Sequence, residues 1–151
     1  MSCIRFNTPA QRQQMKAMAP AMLTPAQAAE KAAALHPAPE VTEGKIARLR
    51  LLAKNPNPKI RESVASSYHA PKDLFVMLAA DQDEGVRACV ARNEATPRDV
   101  LRSLVFDESE RVRGFLALNY CTPVDTMLEL SDDSSATVRG LVQWKSSLAT
   151  V

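Results

Sequence analysis

Arg61, Arg87, Arg113 and Arg139 stand 26 residues apart, each preceded by Ile or Val. A guanidinium is a planar fork of five donors, so a row of them suits one of two chemistries. It can grip successive phosphates, or it can hold carboxylates through paired hydrogen bonds that brace a fold. The second is favoured, because Asn55, Asp81, Asp107 and Asp133 each lie six residues before one of the arginines. The spacing predicts a structural ladder of Asp81 with Arg87, Asp107 with Arg113 and Asp133 with Arg139, each guanidinium bridging its own turn or the neighbouring repeat.

Residues suited to catalysis are sparse. His36 and His69 have no Cys, Asp or Ser at a recognisable motif spacing, and the chain contains no Gly-rich phosphate loop, HExxH motif or nucleophile elbow. The pair Asp132 and Asp133 falls in a turn, where it reads as helix capping. Cys3, Cys89 and Cys121 are widely spaced, with no CxxC or Cys/His cluster, a usage that fits a reducing, cytoplasmic compartment. No catalytic residue, metal or cofactor is assigned, and a non-enzymatic role is expected.

The composition bounds what can position these side chains. The 151 residues suit one domain, and 46% hydrophobic with 24% charged residues is ordinary for a globular chain. Four Gly, with four Phe, two Tyr and one Trp, argue against a β-rich fold. A net charge of +2, from 19 basic and 17 acidic residues, does not by itself imply nucleic acid. The N-terminus lacks the apolar run of a signal peptide, and no stretch suits a membrane span.

The 26-residue interval recurs at Pro71, Pro97 and Pro123 and at Leu52, Leu78, Leu104 and Leu130. Each unit divides into two short helices. In the first, Thr96-Pro97 and Thr122-Pro123 predict Thr as N-cap and Pro at the first helical position, with Ala70 a weaker cap. Leu74, Met77 and Leu78, then Val100, Leu101 and Leu104, then Met127, Leu128 and Leu130 supply its apolar stripe. The second helix begins near Val86 or its equivalents. Its stripe is Ile60, Ser63 and Val64, then Val86, Cys89 and Val90, then Val112, Phe115 and Leu116, then Val138, Leu141 and Val142. Helices this short are marginal alone and must stack. The expected fold is all-α: a short right-handed α-solenoid of about four two-helix repeats over residues 45–151, with an N-terminal helical cap.

The segments "LAADQDEGVRACVARNEATPRDVLRSL" (78–104), "LAKNPNPKIRESVASSYHAPKDLFVML" (52–78) and "LVFDESERVRGFLALNYCTPVDTMLEL" (104–130) resemble the leucine-rich-repeat variant family and, more distantly, HEAT-like repeats. The resemblance covers residues 45–148 and implies short alternating helices, some of them 3₁₀, in a superhelix used for macromolecular interaction. Some relatives carry an N-terminal iron-sulfur cluster on clustered cysteines. Only Cys3 lies in that region here, so the cluster is expected to be absent.

Residues 1–44 do not share the period. Thr8 with Gln11 and Thr24 with Gln27 are capping boxes for two short helices, and "HPAPEVTEG" (36–44) reads as a linker. These helices are expected to cap the first repeat or to swap onto a second copy.

Charge outside the repeating columns suggests the binding surfaces. Residues 45–72 are basic and residues 73–110 acidic, which predicts a bipolar molecule. On the second helices, Lys59, Glu62 and Ser66 and their equivalents are expected to point away from the apolar stripe, ending in Leu118 and Trp144. Arg92, Arg111, Leu118 and Trp144 are the candidate protein-binding residues, Trp144 foremost because Trp is enriched at interface hot spots. The leading expectation is an adaptor that binds another protein, with the oligomeric state left open. The alternative is nucleic-acid binding through Lys45, Arg48, Arg50, Lys54 and Lys59.

Overall fold

The computed structural model describes residues 41–148, and among them every regular element is an α-helix. In chain order these are α1 (Glu43–Leu52), α2 (Pro58–Ala65), α3 (Lys72–Ala79), α4 (Glu84–Arg92), α5 (Arg98–Ser103), α6 (Glu110–Leu118), α7 (Val124–Ser131) and α8 (Ala136–Leu148). The expected helices around Thr8 and Thr24, and the cap they were to form, lie outside the described residues. Helix α1 starts inside the expected linker, with the Thr42 hydroxyl accepting the Lys45 N–H at 3.3 Å. No described helix is long and apolar enough to cross a membrane.

The two kinds of helix start differently. Asn57, Asp83 and Ser109 cap α2, α4 and α6 by accepting N–H groups of the first turn, and Ser135 accepts those of Thr137 and Val138. Helices α3, α5 and α7 instead follow Pro71, Pro97 and Pro123, which occupy the N-cap position with no side-chain cap. Here the sequence expectation needs correcting. Thr96 and Thr122 are not N-caps; their buried hydroxyls donate backwards to the carbonyls of Val90 (2.8 Å) and Leu116 (2.7 Å). Each threonine thus ties its loop to the end of the preceding helix, adding a second donor to a last-turn carbonyl that also accepts the Asn93 or Asn119 N–H.

Helices α2, α4, α6 and α8 pack each against the next, and α3 and α7 pack against α4 and α8 respectively. Val86, Val90, Val112, Leu116 and Val138 are fully enclosed between them, as are Leu78, Leu101 and Leu130 from the intervening helices. Each such side chain contributes about 1.5–3 kcal/mol of burial free energy before conformational entropy is counted. Phe75 joins this core, whereas Met77 and Leu128, expected there, are exposed. Ala88 and Gly114 are buried on α4 and α6 and so do not point away from the stripe as expected, whereas Gly140 of the same column is exposed.

Candidate functional site

Two members of the arginine column, Arg87 and Arg113, are bonded to saturation. Arg87 Nε and Nη2 donate to Asp107 Oδ2 and Oδ1 at 2.8 and 3.2 Å. Its Nη1 donates to the carbonyls of Asp81 and Gln82 at 2.9 and 3.2 Å, and Nη2 also reaches Glu108 Oε1 at 3.1 Å. All five N–H groups therefore have acceptors. Arg113 repeats the pattern with Asp133 Oδ2 and Oδ1 at 2.7 and 3.1 Å, the Asp107 and Glu108 carbonyls, and Ser134 Oγ at 3.5 Å. Arg61 holds Asp81 at 2.7 and 2.8 Å and the Asn55 and Pro56 carbonyls. Arg139 donates to the carbonyls of Asp133 and Ser134.

This corrects the predicted pairing. The aspartate six residues upstream offers its arginine only a main-chain carbonyl, while the carboxylate comes from 20 residues downstream. The side-chain pairs are Arg61–Asp81, Arg87–Asp107 and Arg113–Asp133, each linking one unit to the next. The same carboxylates accept a backbone N–H two residues on, from Asp83, Ser109 and Ser135. The hydrogen bond from Arg61 holds the Asp81 carboxyl below the usual range against the opposing effect of burial. At Asp133 burial is the largest influence and acts upward, yet Arg113 and the Ser135 N–H together keep the carboxyl low. Arg87 and Arg113 are raised, first by their hydrogen bonds to Asp107 and Asp133.

A second column went unread in the sequence. Asn93 Nδ2 donates to the carbonyls of Ala65 and Ser67 at 2.8 and 3.2 Å, and Asn119 Nδ2 to those of Ala91 and Asn93 at 2.8 and 3.1 Å. Lys145 takes the next equivalent place, its Nζ donating to the carbonyls of Ala117 and Asn119 and lying 5.5 Å from the centre of the Tyr120 ring. Burial lowers its pKa. The signal was the 26-residue step from Asn93 to Asn119.

Surface pairs also join the basic and acidic segments, Arg50 with Asp73 at 3.2 Å and Lys72 with Asp99 at 2.6 Å, and Arg102 pairs with Asp125 at 2.8 Å further along the chain. Together with Arg61–Asp81, the first two pair three cations of the basic segment with acids of the acidic one. Of the nucleic-acid candidates, Arg50 is thus paired, and Lys59 is paired with Glu62 at 2.8 Å. Lys45, Arg48 and Lys54 have no ion pair among the described residues.

The face of α6 and α8 is different in kind. Arg111, Gly114, Phe115 and Leu118 of α6, with Thr137, Val138 and Leu141 of α8, line an open groove of about 480 Å³, rimmed by Glu84, Ser109 and Glu110. Beside it Lys59, Glu62, Gly85, Ala88, Cys89 and Arg92 line a shallow cleft that shares Arg111 and Phe115 with the groove. The guanidinium carbons of Arg92 and Arg111 both stand 5.8 Å from the centre of the Phe115 ring. Neither arginine forms an ion pair among the described residues.

No family model, curated protein or solved structure matches this chain.

Three of the four predicted protein-binding residues, Arg92, Arg111 and Leu118, come together around Phe115. Trp144 is half exposed on α8 but is not among the residues lining the groove. Phe115 and Leu141, assigned to the core by their spacing, are only partly buried and form the groove wall. Among the described residues no group of His, Cys, Asp and Glu is arranged to hold a metal.

Proposed function

We propose that this chain is a non-enzymatic adaptor that binds another protein on the α6–α8 face. In this reading the helices form a short right-handed α-solenoid of about four repeats, akin to the leucine-rich-repeat variant proteins. The observation that carries it is the contrast in side-chain use. Arg87 and Arg113, the most regular cations, have no N–H left for a ligand, whereas the groove exposes Phe115, Leu118 and Leu141. An open apolar groove with a few polar groups at its rim suits the anchoring side chains of a protein partner. Cys89 and Cys121 are free thiols, which suits a reducing compartment.

A photo-crosslinking residue at position 118, compared with one at exposed Val76 on α3, tests this in cells that make the protein. A protein adduct from position 118, absent from position 76 and lost with Leu141→Glu, is the expected result. Adducts of equal yield from both positions, or none from 118, would overturn it. The nucleic-acid reading keeps one supporting observation, the unpaired Lys45, Arg48 and Lys54. It predicts single-strand or duplex binding with a steep salt dependence that Lys45→Glu, Arg48→Glu and Lys54→Glu together abolish.

A further inference from the structure

We infer that the Phe115 groove takes a peptide segment carrying a carboxylate on one side only of its apolar anchors. The inference rests on the protein-binding reading and names the chemistry of the partner. The guanidinium carbons of Arg92 and Arg111 stand 5.8 Å from the centre of the Phe115 ring, within reach of a cation–π attraction that leaves their N–H groups open to hydrogen-bond. No side-chain hydrogen bond from either is formed among the described residues. This sets them apart from Arg87, whose five N–H groups are all engaged. Two cations without an ion pair beside an apolar wall are complementary to a carboxylate next to a Leu, Phe or Met side chain.

The charges around the groove also set the direction. Arg92 lies only in the cleft, while Glu84 and Glu110 rim only the groove. Lys59 in the cleft is already neutralised by Glu62. An acid placed at the cleft end meets Arg92 as well as Arg111, while an acid in the groove meets Glu84 and Glu110 with only Arg111, which lines both, to offset them. A uniformly acidic segment is therefore disfavoured, and so is a phosphate backbone, which carries charge along its whole length. The apolar anchors fall between, on Phe115, Leu118 and Leu141.

Random peptides displayed on phage, selected on the full chain, test the inference. Selected peptides should carry Asp or Glu within a few residues of Leu, Phe or Met, with acids excluded from the other side. A synthetic copy of the commonest peptide should lose about tenfold in affinity with Arg92→Glu or Arg111→Glu, the equivalent of one charge-assisted hydrogen bond. It should lose binding with Leu118→Glu, while circular dichroism shows each variant folded. Selection of apolar peptides without acidic bias, abolished by Leu118→Glu but indifferent to the arginine reversals, would overturn this inference and leave the adaptor reading standing. Peptides indifferent to Leu118→Glu, or no peptide at all, would defeat both. Arginine-dependent binding of an oligonucleotide that outcompetes the peptides would point to nucleic acid instead.

Discussion

Arg87 and Arg111 lie on neighbouring helices, α4 and α6, yet the chain uses them in opposite ways. Arg87 is buried with every N–H bonded, tying its own turn to the carboxylate of the next unit. Arg111 is exposed, has no ion pair among the described residues and rests against Phe115. A buried guanidinium is tolerated only if its hydrogen bonds replace those to water. Periodicity and saturation therefore mark framework, and an irregular cation beside an apolar wall marks a surface available to a partner.

The comparison is broken most directly by alanine. Arg87→Ala should cost about 3 kcal/mol of unfolding free energy, because the Asp107 carboxylate is left enclosed without its partner. Arg111→Ala should leave the urea midpoint unchanged within error. Arg139→Ala, which removes contacts to two carbonyls and no carboxylate pair, should fall between them. Equal losses at positions 87 and 111 would show that the division between framework and surface is misplaced.

Asn119 sharpens the same division, because it is buried and braces two successive units without any charge. Asn119→Ala removes donors to the carbonyls of Ala91 and Asn93 and the acceptor for the Cys121 N–H. About 2 kcal/mol should be lost, the cost of unsatisfied buried polar groups. Denaturant titration measures it, and a loss confined to surface-like tenths would place the column outside the framework.

Acid produces the smallest expected change. Asp81 and Asp133 have lowered pKa values in the folded chain, so in mildly acid solution the unfolded chain binds more protons than the folded one. Their contribution is fully present above the ordinary aspartate value of about 3.9 and is lost as pH falls through the depressed folded values. Urea midpoints should decline in that window, and Asp133→Asn should make the decline shallower. The exposed Lys72–Asp99 and Arg102–Asp125 pairs should contribute little, so Asp125→Asn should leave its shape unchanged. A decline equally sensitive to Asp125 would remove the distinction between enclosed and exposed pairs.

The sequence by itself determined the helical class, because apolar residues at helical spacing between Pro and acidic turns leave short chains one way to bury them. It also determined that Arg61, Arg87, Arg113 and Arg139 hold equivalent places, since a period assigns equivalence without coordinates. Which carboxylate each arginine meets was decided only in three dimensions. The displacement between one helix pair and the next brings the aspartate 20 residues on into reach and leaves the one six residues back as a carbonyl. The same holds for Thr96 and Thr122, which sequence rules place at helix starts. The loop before α5 and α7 turns each hydroxyl towards a last-turn carbonyl of the preceding helix. The groove was illegible for a related reason. Phe115 has the spacing of a core residue, and only the way α4, α6 and α8 pack leaves its ring partly exposed, 5.8 Å from the guanidinium carbons of Arg92 and Arg111. Spacing along a chain specifies which side of a helix a residue occupies, whereas the gap between two helices depends on all the side chains packed between them.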